Sequence, residues 1–416
     1  MGHLHVWAAE PPAFVIRRQR LRLARRAVLL GVATLPPVAE SLANGGVGGS
    51  RRSDPSLPAR ADSGRPPTTP PGRQALITNR DSLSTINDKI ASLGSGDSAV
   101  FAAGSYVLGG TILGKPGVTL WAQGGVTLRN GDIDCSGKRG WTVRGLSPGN
   151  GFLFAGGRIN AAHAGGGWAI ANCSFDACTA RRGGFAGSAI HLDNARDGDV
   201  INCDFHACEG TVVGYYNLSD ISFDGLHFTD CQQPYSIQVP VTDDRRYGSN
   251  LVWQRCVFAG TGRAAIEIGP TDRPLPGERF DGTVVSNCHF DDFKRLGAPP
   301  GDGQLLAISL VGITSIRTTV TNNFIRLGTK NTGWVWPAIE MAGSGDITGN
   351  TVVNATYGAI LYRADGKCYG NARSNDAANP WRGWLDFPDG HASNIGANAD
   401  LAEPPVTPPW PARISY

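Results

Sequence analysis

A phrase built on Asn-Cys-x-Phe recurs through the second half of the chain, and it limits what the chain can fold into. It reads ANCSFDAC at 171–178, INCDFHAC at 201–208 and SNCHFDDF at 286–293. Weaker echoes are DGLHFTDC (224–231), QRCVFAG (254–260), TNNFIRL (321–327) and GNTVVNA (349–355). Aligning them puts an apolar anchor at Phe175, Phe205, Phe228, Phe258, Phe290, Phe324 and Val352, spaced 30, 23, 30, 32, 34 and 28 residues apart. Self-similarity at such a period belongs to an array in which each unit buries its apolar face on its neighbours.

A second phrase keeps step with the first: SAIHL (188–192), YSIQV (235–239), AAIEI (264–268), AISL (307–310), PAIEM (337–341) and GAILY (358–362). Each alternates apolar and other residues with a period of two, the mark of a strand with one buried face. A unit then contains this strand, a variable loop, a short Val/Ile-rich strand such as GTVVSN, a turn at Asn, and the Cys-x-Phe strand. Asn suits that turn because it tolerates left-handed backbone angles and can hydrogen-bond to its neighbours in a stack. Three short strands per unit with no helix between them predict an all-β fold, a single-stranded right-handed parallel β-helix. A propeller needs blades of about 40 residues and hairpin turns, and few tight hairpin signals fall here.

The segment 1–43 reads as an export signal. A basic run from Arg17 to Arg26 leads into AVLLGVATLPPVA, too short to cross a bilayer, and small residues follow. Arg25-Arg26-Ala27-Val28-Leu29 has the twin-arginine pattern, implying the twin-arginine export machinery as partner and an exported, periplasmic or extracellular location. That segment carries six Arg and two Glu. Taking these from the chain's 38 basic and 35 acidic residues leaves 32 against 33. The basicity therefore resides in the signal, and nucleic acid is not an expected partner. Residues 44–75, rich in Pro, Gly and Arg, read as a disordered linker. From 81, DSLSTINDKIASLG has apolar residues at 83, 86, 90 and 93, predicting an N-terminal capping helix started by Asp81 or Ser82 and ended at Gly94. The solenoid is expected over 76–385. A Pro-rich tail, 386–416, either packs along its flank or stays loose.

Cys173, Cys203, Cys256 and Cys288 each stand two residues before an anchor, and Cys178, Cys208 and Cys231 three after one. Stacked coils lie ~4.8 Å apart, so such cysteines form ladders. Their expected role is small apolar filler. An oxidising compartment would permit a Cys178–Cys208 disulfide, which the spacing leaves open.

In this repeat architecture the chain from about 76 to 370 resembles the pectin-lyase-like superfamily of right-handed β-helices, and more loosely the twin-arginine-exported β-helix repeat proteins. The resemblance implies action on, or binding of, an extracellular or envelope polysaccharide, by a lyase or glycoside hydrolase. The alternative is a non-catalytic glycan-binding or scaffold protein. The chain has no Asn-Thr-Asp with a following Asp-Asp pair and Gly-His-Gly, no Arg-x-Pro-x-x-Arg and no Asp-Pro-His-Asp. No family catalytic residue therefore carries over.

Candidate residues follow from the alternation itself. In Ala-Ile-x-Ile strands x faces outward, which gives the column His191, Gly214, Gln238, Glu267, Ser309, Glu340 and Leu361. Long insertions flank it at 240–250, 269–282 and 294–305, and clustered insertions on a tight solenoid build binding walls. Glu267 and Glu340 are two coils apart, ~9.6 Å at the backbone, a separation matching the acid and base of an inverting hydrolase, ~6.5–9.5 Å. Under a lyase reading Glu267 is instead a calcium ligand or neutralises a uronate, with Arg263, Lys294 or Arg295 near the abstracted proton. No cofactor is expected, calcium under the lyase reading apart. Trp334 and Trp336 are candidates for stacking on a sugar ring.

Overall fold

The computed structural model describes residues 69–178 and 188–208 continuously. Beyond these it describes most strands and turns between 211 and 401, and the segment 406–413. All belong to one unit, Ser63–Tyr416. The segment 1–43 lies outside the described residues.

The strands stack in parallel register as a β-helix with three faces. Face I carries the Ala-Ile-x-Ile phrases, face II the Val/Ile-rich strands and face III the Cys-x-Phe strands. Face III is one sheet of 12 strands running from Gly104–Val107 to Ala399–Asp400. Face I begins as a six-stranded sheet, Thr111–Leu113 to Gln233–Tyr235. Its later rungs merge with face II into an 18-stranded sheet, because Ile308–Thr321 and Pro337–Thr348 run through both faces without a break.

The chain enters the solenoid at Gln74–Ile77, which pairs with Ser98–Phe101 on either side of a helix, Leu83–Ala91. Ser82 caps that helix, its hydroxyl accepting from the Thr85 amide at 3.1 Å. Asp81 instead binds Lys89 at 2.8 Å and the Thr78 amide, contacts that hold its carboxyl below the usual range. The helix closes at Ser92, two residues before Gly94. Ile86, Ile90 and Leu93 join the solenoid core, so the helix plugs the end of the array.

The turn from face II to face III explains the Asn-Cys phrase. Asn172, Asn202, Asn287 and Asn322 all have φ between 51° and 56°, the left-handed region that Asn tolerates best after Gly. Where the phrase lacks Asn, Gly225 and Gly349 take the same position at φ 63° and 64°. A Cβ on Gly225 would lie 2.6 Å from Asn202 Oδ1, so this rung admits little else. The next position forms one column through the molecule: Cys173, Cys203, Leu226, Cys256 and Cys288, then Asn323, Asn350, Asn371 and Asn398. Every member from Cys173 to Asn371 is buried. The thiols rest on turn carbonyls, Cys203 Sγ lying 3.3 Å from Ile201 O. The asparagines chain amide to amide at 2.9–3.0 Å.

Inside face III the anchors stack ring on ring. Phe154, Phe175, Phe205, Phe228, Phe258 and Phe290 have centroids 4.5–5.0 Å apart. The next anchor is Ile325, which pairs with Phe290 and then Val352. The expected Phe324 is one residue off; it pairs with His289, their rings 4.9 Å apart. Two adjacent apolar residues in NNFIRL made either alignment fit the period.

All nine cysteines are buried free thiols. Burial pushes Cys368 up to about 12 and Cys135, Cys173 and Cys256 well above an ordinary thiol. They serve as small core residues. Cys203→Ser should cost about 1 kcal/mol, the low end for a buried hydroxyl, because Ile201 O stands ready to accept. Urea unfolding measures it, and a loss above about 3 kcal/mol would show that the column tolerates no polar group at this rung.

Candidate functional site

Face I supplies the outward column. In each later strand the residues on either side point into the core: Ile266 and Ile268 around Glu267, Ile308 and Leu310 around Ser309, Ile339 and Met341 around Glu340, all fully buried. Register pairs Glu267 with Ser309 and Ser309 with Glu340. The two carboxylates therefore stand two rungs apart on one face, as their spacing in the sequence implies. Ser309 donates to Glu340 Oε2 at 3.4 Å. Exposure differs along the three. Glu267 is partly exposed, whereas Ser309 and Glu340 keep only 5% and 6% of their surface. Glu340 is thus an outward rung that is nonetheless shielded from water, not a solvated one.

Two members of the expected column are displaced. Gln238 pairs with Gly269, two positions beyond Glu267, and Glu340 pairs with Ile360 rather than Leu361. A period-two pattern is unchanged by a shift of two, so the sequence could not place Gln238. In GAILY three apolar residues in a row hide the phase.

At the other end, His191 pairs with Gly214 as expected and with Asn160 on its other side, and Asn160 pairs with Asp134. Asn160 Nδ2 donates to Asp134 Oδ1 at 3.0 Å, and Asn160 Oδ1 accepts from the Ala162 amide. Arg158 and Asp132 form an ion pair beside them at 3.4 Å. Burial lowers the His191 pKa; the Asp193 carboxylate opposes that shift, and Arg158 and His163 add to it. The imidazole is therefore neutral near pH 7. Asp134, Arg158 and Asn160 are additions to the sequence-derived set. Their signal was present in D-I-D (132–134) and R-I-N (158–160), which share the x-Ile-x frame of A-I-H (189–191).

Arg263, Lys294, Arg295, Trp334 and Trp336, the side chain of Gln238, and most of the flanking insertions lie outside the described residues. Among the described residues no group of three or more His, Cys, Asp or Glu is arranged to hold a metal ion. None of their helices is long and apolar enough to cross a membrane.

What face and column define together is a parallel β-helix whose face I carries two outward polar groups, Asp134–Asn160–His191 and Glu267–Ser309–Glu340. No family model matches the chain, and no curated protein does. Among solved structures it is similar to PfbA, a surface adhesin of Streptococcus pneumoniae, at 13% identity over 72% of this chain and 88% of that one, with a TM-score of 0.45. It is also similar to an alginate lyase from Paenibacillus sp. str. FPU-7, at 15% identity over 79% and 99%, with a TM-score of 0.41. A third is the PL6 family polysaccharide lyase from Pseudopedobacter saltans, at 13% identity over 82% and 97%, with a TM-score of 0.44.

Proposed function

We propose that the protein is exported, that it binds an extended polysaccharide along the outward column of face I, and that it cleaves a glycosidic bond by inverting hydrolysis. The observation that carries the reading is the Glu267–Ser309–Glu340 stack. Carboxylates on adjacent rungs would stand ~4.8 Å apart, near the spacing of a retaining pair. Two rungs give ~9.6 Å, room for a water between them. The rung between is Ser309, a small side chain. Glu267, with solvent beside it, is the base that activates the water. Glu340, shielded and oriented by Ser309, is the acid that protonates the leaving oxygen. Farther up the column Asn160 and the neutral His191 offer hydrogen bonds to sugar hydroxyls. The basic, short apolar segment within 1–43 supports export.

A panel of neutral and acidic polysaccharides tests this, with reducing ends, ultraviolet absorbance of unsaturated uronates and the anomer of the first product all followed. Reducing ends with inverted configuration and no absorbance change are expected. Unsaturated products would make it a lyase. Retention on a polysaccharide column without any release would leave glycan binding as the activity.

A further inference from the structure

The C-terminal segment 406–413 lies on the outer side of face III and is held there at two points. Arg413 grips Asp204 with both guanidinium nitrogens, Nη1 to Oδ2 at 3.1 Å and Nη2 to Oδ1. Trp410 meets the His227 ring edge-on at 5.5 Å. Asp204 and His227 are themselves neighbours in register on successive strands, 209 and 183 residues away from their partners in the tail. The segment buries little: Trp410 keeps 48% of its surface and Val406 92%. A peptide held by one ion pair and one ring contact can detach without disturbing the solenoid beneath.

We propose that residues 406–413 form a strap over the outer side of face III that releases on mild acidification. His227 is the sensing group. Its surroundings are Asp204 on the preceding strand, the apolar Val257 on the following one, and Arg413 and Trp410 of the strap. The Asp176–His206 pair stands beside them, 2.8 Å apart, its carboxylate holding His206 above an ordinary imidazole. Burial, helped by the Arg413 charge and opposed by Asp204, lowers His227 to about 4. An uncovered imidazole titrates near ~6.5. The docked state therefore binds fewer protons than the released one. Docking is at full strength above about 6.5 and weakens as pH falls toward about 4. A protonated His227 would face the Arg413 guanidinium while that group is bound to the adjacent Asp204. Release opens the Asp204–His227 surface and frees the Pro-Trp-Pro-Ala-Arg segment.

Full-length protein carrying [15N]tryptophan, with the Trp410 indole signal assigned through Trp410→Phe, reads the strap directly. In the wild type that signal should move, between pH 6.5 and 4, to the position it holds at pH 7 in Arg413→Ala, while the core signals of Trp141, Trp168 and Trp253 stay fixed. In His227→Gln, which keeps a polar side chain without the charge, the movement should vanish or fall below pH 4. A stationary Trp410 signal overturns the proposal. So does an unchanged midpoint in His227→Gln, which would place the titrating group elsewhere, or movement of all the tryptophans together.

Discussion

Asn350→Ala should cost about 3–5 kcal/mol, more than any single cysteine of the same column. Asn350 is fully buried, and its amide joins three coils. Its oxygen accepts from the backbone and side-chain amides of Asn323 at 3.0 and 2.9 Å. Its nitrogen donates to Val320 O at 2.9 Å and Asn371 Oδ1 at 3.0 Å. Truncation strips partners from several buried polar groups at once, each worth about 1–3 kcal/mol when left unsatisfied, and a water entering the gap recovers part of that. Asn350→Asp fills the same volume but turns its second oxygen toward the Val320 carbonyl, so it should be no milder. Units of a solenoid interact mainly with their neighbours, so loss of protection should concentrate between Asn323 and Asn398. Hydrogen exchange with urea unfolding reads both effects. A change of under 0.5 kcal/mol for Asn350→Ala would mean that the ladder adds nothing to pairing already made by the strands.

That ladder also shows where sequence reading stops. The fold was legible because the anchors and the Asn-Cys turns repeat in kind, and each turn forces a backbone angle few residues accept. The exchange of Cys for Asn along one column was not legible, since a thiol and an amide look unrelated until both are seen to sit against turn carbonyls. Phe324 against Ile325 and Gln238 against Glu267 failed differently. Shifts of one within an apolar pair, or of two along an alternating strand, leave the pattern intact, and only pairing between strands separates them. Glu267 and Glu340 were found because each interrupts an apolar frame, Ile-Glu-Ile and Ile-Glu-Met. The burial of Glu340 was hidden, because outward alternation says which way a side chain points and nothing about what lies over it.

The placement of the site follows the same physics. Faces II and III close against each other through tight Asn and Gly turns, which fix coil length and leave no room for insertion. The joins on either side of face I have no such turn, so the chain varies there: face I runs unbroken into face II in Ile308–Thr321, a long insertion follows Pro270, and another, 294–305, enters face I from face III. A rigid outward column between two variable edges is where a repeat protein can add a binding site without altering its core.

The hydrolytic reading therefore turns on two substitutions and a third that separates them from chance. Glu267→Gln keeps size and hydrogen-bonding reach but cannot take a proton from water. Turnover should fall by about 10²–10⁴-fold, with unfolding stability within about 0.5 kcal/mol because the residue is partly exposed. Glu340→Gln should lose turnover to a similar extent, and its loss should persist under conditions where the variant is shown to be fully folded. Ser309→Gln keeps both carboxylates but removes the hydroxyl that contacts Glu340 and puts a long side chain between them, whereas Ser309→Ala removes the hydroxyl alone. If a water works between the carboxylates, Ser309→Gln should be as inactive as either Glu variant while Ser309→Ala keeps more activity; equal activity in the two Ser309 variants would mean that filling the space matters no more than losing the hydroxyl. Substrate retention on an immobilised polysaccharide distinguishes lost chemistry from lost binding in every variant. Glu267→Gln and Glu340→Gln variants that both turn over normally would remove catalysis from this column and leave it a glycan-binding stripe.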